Sequence, residues 1–237
     1  MNRFWNIDKK CVKIKLCDIK SLDTAYESYQ LGADAFGFHI RKKADIESKI
    51  KQIQYIVKYL PGDISCWLLT YIQDFSALRD ILNRINFDTI QFQGNIEASE
   101  FLILAKQLKQ PRNKEILKIV KTISVFGKYS DILEKIDMYI ENVDAILLDS
   151  GSQEKGGTGS IHNWDISSKL VKKIKKPVIL AGGLKPENVI EAIMKVKPFA
   201  VDVQSGVENI VGEFGGKKVK CKSIIKIEKF IRNIKRI

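Results

Sequence analysis

Short apolar runs alternate with longer amphipathic stretches from one end of this chain to the other. Runs at 12–17, 34–40, 64–71, 88–92, 116–122, 144–149, 177–181 and 199–203 have the length and residue types of strands. Between them, 22–31, 46–59, 74–85, 97–109, 129–141, 164–175 and 186–196 carry apolar residues at helical spacing, and a last helix is predicted over 222–235. In that last helix Ile224, Ile227, Ile231 and Ile234 share one face, and Lys222, Lys226 and Lys229 lie off it. The predicted boundaries rest on Gly32 after the first helix, Asp74 and Ser130 as N-caps, and Pro186 with Glu187 in a first turn.

Eight strand–helix repeats in 237 residues predict an α/β protein folded as a single (β/α)8 TIM barrel, a fold that needs about 250 residues. A doubly wound sheet is the rival, but its first strand would lead into a GxGxxG turn, and here that strand ends in Cys17-Asp18-Ile19. No Pro/Gly/Ser tract divides the chain, so residues 1–237 are expected to form one barrel domain. The stretch 207–220, with Gly212, Gly215 and Gly216, is expected to be a long loop before the last helix.

Composition narrows the picture further. With 45% hydrophobic and 29% charged residues the chain is globular rather than disordered. It has no run of eighteen apolar residues, and its first eight residues lack the basic-then-apolar order of a secretory signal, so a cytoplasmic protein without a membrane partner is expected. Four cysteines without CxxC spacing and only two histidines argue against a disulfide framework and a metal site. The net charge of +12 invites a nucleic-acid reading. Lysines alternate with isoleucines, however, as solvated helix faces do, so no nucleic-acid partner is expected and the charge favours solubility and steering of anions.

In such a barrel the chemistry lies at the C-terminal strand ends. Cys17 ends the first strand and reads either as a small buried hydrophobe or as a base whose thiol Lys15 helps to ionise. Asp149 ends the sixth, directly after Ile-Leu-Leu, and reads either as an acid–base group or as a loop hydrogen-bond acceptor. Ala181-Gly-Gly-Leu184 and Gln204-Ser-Gly-Val207 follow the seventh and eighth strands, where barrels commonly bind phosphate through approachable backbone amides.

Five ordered motifs carry a resemblance: Lys15-Leu-Cys17; Leu31-Gly-Ala-Asp-Ala-Phe-Gly-Phe38; Leu147-Leu-Asp149 with Gly156-Gly-Thr-Gly159 and Trp164; Leu180 to Val189; and Val201 to Glu208. Together they resemble the phosphoribosylanthranilate isomerase family of tryptophan biosynthesis. The resemblance implies a cofactor-free Amadori rearrangement of a phosphosugar by a monomer or homodimer. It also implies Asp149 as acid, Cys17 as base, Arg41 and Asp202 near the anthranilate half, and Gly157 in a loop over the site. Gly182, Gly183, Ser205 and Gly206 would surround the phosphate.

The chain departs from the family pattern at several places. Asp18 stands where a glycine follows the cysteine, and a carboxylate pointing inward there would disfavour a thiolate. The segment Phe38 to Ala44 lacks the Ser-Pro-Arg-like loop, Gln93-Gly94 replaces His-Gly, and His162 falls within an altered Phe-Asp-Trp stretch, where a packing or surface role rather than a catalytic one is expected. The alternative reading is a divergent barrel that acts on, or merely binds, a different phosphorylated sugar amine.

Overall fold

A computed structural model describes residues 2–6, 11–110, 117–150 and 162–237. Eight strands follow one another as β1 (Lys13–Cys17), β2 (Ala35–His39), β3 (Ser65–Thr70), β4 (Thr89–Phe92), β5 (Lys118–Ser124), β6 (Ala145–Asp149), β7 (Val178–Leu180) and β8 (Ala200–Val203). Each pairs in parallel with its sequence neighbour, and β8 returns to β1, so the sheet closes on itself. The helices are α1 (Leu22–Leu31), α2 (Ile46–Tyr59), α3 (Phe75–Arg84), α4 (Ala98–Leu108), α5 (Tyr129–Asp137), α6 (Trp164–Lys173), α7 (Val189–Val196) and α8 (Ile224–Ile234).

Alternation along each strand divides the core into two layers. Outward residues such as Ile14, Leu16, Phe36, Phe38, Ile146 and Leu148 pack against the helices. Inward ones, among them Ala35, Trp67, Leu69, Val120, Leu147 and Ile179, fill the barrel. Its N-terminal end is plugged by the segment before β1. There Phe4, fully buried, meets Trp67 edge-on with centroids 4.9 Å apart, and Trp5 stacks on Trp67 at 5.6 Å. The buried polar residues at this end are tied down by the plug and its neighbours: Trp5 Nε1 donates to Thr89 Oγ1 at 3.0 Å, Lys13 Nζ to the Arg3 carbonyl at 2.7 Å and Trp67 Nε1 to Ser65 Oγ at 2.7 Å.

One device recurs at every second strand. Asp34, Asp88 and Asp144 immediately precede β2, β4 and β6, and each carboxylate accepts the backbone N–H of the second residue of the strand before it: Ile14, Cys66 and Ile119. The same three residues donate their own N–H back to those carbonyls, giving two-point contacts that set the neighbouring register.

Helix ends follow the expected chemistry in part. Gly32 adopts φ 108° and its N–H reaches the Ser28 and Tyr29 carbonyls, and Asp74 caps α3 through Ala77 N–H. Two boundary expectations are corrected. Ser130 lies inside α5, its hydroxyl turned to Asp131, and α7 begins at Val189, because Asn188 holds the preceding turn. The expected loop over 207–220 is corrected as well: β9 (Glu208–Phe214) and β10 (Lys217–Lys222) form an antiparallel hairpin. Its turn is Gly215-Gly216, both at positive φ, as a two-residue turn with the twist of its flanking strands requires.

Candidate active site

The period of two aims Cys17, His39, Asp149 and Asp202 into the barrel at its C-terminal mouth. Lys15 lies one layer below. Its ammonium is fully buried, 2.8 Å from Asp202 Oδ2 and 5.1 Å from the centroid of the Trp67 ring. Gly37 on the adjacent strand makes that possible, since a Cβ there would lie 3.2 Å from Lys15 Nζ and 3.0 Å from Leu69 Cδ1. Asp202 Oδ1 is buried and has no hydrogen-bond partner among the described residues.

Cys17 pairs in register with Gly37, which makes His39 its diagonal neighbour two residues further along β2. Both side chains are buried, and Sγ stands 3.3 Å from His39 Nε2. On the other side of the ring, Arg41 Nε donates to His39 Nδ1 at 3.4 Å. Burial pushes the Cys17 thiol up to about 12, with Asp202 and Asp18 adding to the rise and the Lys15 and Lys222 charges opposing it. Burial also pushes His39 down to about 3, helped by the positive charges of Arg41, Lys15 and Lys49 and opposed by Asp18. At neutral pH the ligand-free pair is therefore a thiol beside a neutral imidazole.

Asp18 occupies the left-handed region at φ 62°, a conformation that glycine enters without steric cost. Its carboxylate turns to Lys20 Nζ at 2.9 Å rather than into the barrel. Burial alone would raise its pKa, but the Lys20 hydrogen bond and the charges of Lys20 and Lys222 hold it below the ordinary value. Lys222, at the end of β10, is nearly buried, donates to the Gln204 carbonyl at 2.8 Å and pairs with Glu208 at 3.0 Å. The hairpin thus delivers one more positive charge to the mouth.

Asp149 ends β6 half-buried, with the Ser150 hydroxyl 3.4 Å from Oδ1. The loops after β6, β7 and β8 press together there. A Cβ on Gly182 would meet Ser150 N at 2.4 Å, and one on Gly206 would meet the Leu184 carbonyl oxygen at 1.9 Å, so neither position admits a side chain without movement. Gly182 and Gly183 take φ 82° and 65°, and Ser205–Val207 forms a short 3-10 turn. Asn188 braces the loop after β7, its Oδ1 accepting Lys185 N–H at 2.8 Å and its Nδ2 donating to the Gly183 carbonyl at 3.0 Å.

The structure thus brings Cys17, Asp149 and Asp202 to one mouth and sets Gly182, Gly183, Ser205 and Gly206 on adjoining loops. Arg41 is exposed at the same rim and spends its Nε on His39. The expectation for Gly157, with the Gly156–Gly159 loop, lies outside the described residues. His162 packs, as expected, with Nε2 2.7 Å from Ser167 Oγ. His39, a polar residue at the end of the second strand, was given no role from the sequence, and Asn188 was not singled out. Strand parity, counting Ala35, Gly37 and His39 inward, was the signal available for the first; the short polar side chain just before a helix was the signal for the second. Among the described residues no three His, Cys, Asp or Glu side chains come together to hold a metal ion, and no helix is long and apolar enough to cross a membrane.

A closed parallel barrel with a thiol, a carboxylate and glycine-lined loops at its C-terminal mouth defines the acid–base, phosphosugar class of (β/α)8 proteins. Comparison with known proteins agrees. The family described as N-(5'-phosphoribosyl)anthranilate (PRA) isomerase matches residues 14–232. N-(5'-phosphoribosyl)anthranilate isomerase 2 of Methanosarcina mazei is 32% identical over 206 residues, covering 85% of this chain and 88% of that protein. The phosphoribosyl anthranilate isomerase structure from Thermotoga maritima superposes with a TM-score of 0.75 at 28% identity, covering 95% of this chain and all of the other. A second solved isomerase, in complex with reduced 1-(o-carboxyphenylamino)-1-deoxyribulose 5-phosphate, gives 0.72 at 27% identity, with 95% and 100% coverage. The chain belongs to the N-(5'-phosphoribosyl)anthranilate isomerase family.

Proposed function

We propose that this chain isomerises N-(5'-phosphoribosyl)anthranilate in tryptophan biosynthesis, with Asp149 as general acid and Cys17 as general base. The observation that carries the reading is the convergence of these two strand ends with the tightly packed loops after β7 and β8 at one barrel mouth. Asp149 protonates the furanose ring oxygen, the C1–O bond breaks, and the anthranilate nitrogen lone pair closes a Schiff base at C1. Cys17 takes the C2 proton; the C–H electrons form C1=C2 and the C=N pair returns to nitrogen, giving the enolamine. Tautomerisation places a proton on C1 and releases one from the C2 hydroxyl, so the proton count closes over the cycle.

In this reading the loops of Gly182, Gly183, Ser205 and Gly206 hold the phosphate through backbone amides that no Cβ covers. Asp202 Oδ1, buried and open, accepts from the anthranilate N–H, and Arg41 offers its terminal amino groups to the anthranilate carboxylate. One barrel carries the whole reaction, working as a monomer or homodimer.

The test is loss of substrate fluorescence with purified protein. Wild type is expected to turn over, while Cys17→Ser and Asp149→Asn lose activity with unchanged circular dichroism. Binding of a reduced product analogue by a wild-type protein without turnover would overturn the assignment in favour of another phosphorylated sugar amine.

A further inference from the structure

The Cys17–His39–Arg41 chain assigns a role to a residue that the reaction as written leaves idle. An arginine guanidinium has hydrogen-bond donors and no acceptor. Because Arg41 Nε donates to His39 Nδ1, that nitrogen must offer its lone pair, and the ring proton of the neutral imidazole sits on Nε2. Nε2 is the atom that stands 3.3 Å from Cys17 Sγ. The imidazole therefore presents an N–H to sulfur, an arrangement that favours a thiolate acceptor over a thiol.

We propose that His39 is the positioning partner of the base: its Nε2–H, locked in that tautomer by Arg41, stabilises the thiolate that Cys17 forms to remove the substrate C2 proton. No proton passes to His39. The thiol proton leaves to water at the open mouth, the thiolate accepts Nε2–H, and the C2 proton then returns sulfur to the thiol. A neutral donor suits this site because burial and the charges of Arg41, Lys15 and Lys49 resist an imidazolium against the opposing charge of Asp18. It also answers the problem set by the surroundings of Cys17. Burial, Asp202 and Asp18 oppose ionisation there, and Lys15 and Lys222 only partly offset them.

The proposal rests on Cys17 as base, and the experiment separates the two. His39→Leu, which removes the donor, is expected to lower kcat by about 10- to 100-fold, the range commanded by a hydrogen bond to an ionised acceptor. KM should stay nearly constant, and the rising limb of the kcat/KM profile, which the ionisation of Cys17 sets, should move to higher pH. His39→Gln, which carries an N–H near the position of Nε2, should recover most of kcat. A Leu variant with wild-type kcat and pH profile, or a Gln variant no better than Leu, would overturn the proposal. An active Cys17→Ser protein would instead remove the base assignment beneath it. A measurement on the unmodified protein needs no variant to fold: imidazole 15N shifts are expected to place the His39 proton on Nε2, and finding it on Nδ1 would refute the tautomer.

Discussion

Lys15→Met tests how strongly the barrel interior depends on one ion pair. Methionine keeps the length and nearly the volume of the lysine stem, so packing alone should cost under about 1.5 kcal/mol. The loss comes from the partner. Lys15 is fully buried and Asp202 is 7% exposed, and among the described residues Asp202 Oδ1 has no hydrogen-bond partner and Oδ2 has Lys15, which the substitution removes. Breaking a buried pair from one side costs about 3–5 kcal/mol, against a total stability of about 5–15 kcal/mol for an ordinary domain. At about 2–4 °C per kcal/mol for a chain of this size, the melting temperature should fall by roughly 6–20 °C. Urea unfolding of wild type, Lys15→Met, Asp202→Leu and the double variant gives the full cycle. Each single change should be severely destabilising, and the double should return most of the loss, because two apolar side chains need no partner. A single variant within about 1 kcal/mol of wild type, or additive losses in the double, would refute the idea that the two charges depend on each other.

Three further outcomes follow from the same geometry. Both histidines of the chain are held neutral by burial, His39 at about 3 and His162 at about 4, so neither imidazole should titrate between pH 5 and 8 by proton NMR. Because their folded values lie below the ordinary 6.5, the stability they contribute is complete above 6.5 and is lost as pH falls toward 4 and then 3, so unfolding should steepen in that window and less so in His162→Gln. Asp18→Gly removes left-handed strain and a pair whose lysine is 63% exposed, so stability should change by no more than about 1 kcal/mol. Its kcat/KM profile should shift to lower pH as a carboxylate near Cys17 disappears, and a shift to higher pH would contradict that account. Gly206→Ala drives a Cβ into the Leu184 carbonyl, so kcat/KM should fall on the order of 10²-fold with weaker inhibition by inorganic phosphate, whereas unchanged inhibition would separate this contact from the phosphate site.

Local pattern was enough to locate all eight barrel strands to within a residue or two, because an apolar run bounded by turn residues is a property of the segment itself. Cys17 and Asp149 were legible for the same reason: each ends such a run, and a strand end in this fold is a mouth position. The hairpin over Glu208–Lys222 was not legible as strands, because its residues are largely exposed and Lys217, Lys218, Lys220 and Lys222 mask its alternation. Only the Gly215-Gly216 turn signalled it. Asp18 read from sequence as a threat to the thiolate. Its backbone at φ 62° turns the carboxylate toward Lys20, and it still opposes ionisation of Cys17, though less than burial and Asp202 do.

By itself, then, the sequence determined the order of elements and which strand ends carry a thiol, a carboxylate and paired glycines. These depend on periods of 2.0 and 3.6 residues that each segment sets locally. Tertiary structure alone decided what those groups meet. Lys15 finds Asp202 across 187 residues because β8 closes onto β1, and Cys17 finds His39 because the β1–β2 register sets Gly37 opposite the cysteine. Closure and register are long-range properties, and they convert separate candidates at strand ends into one acid–base site.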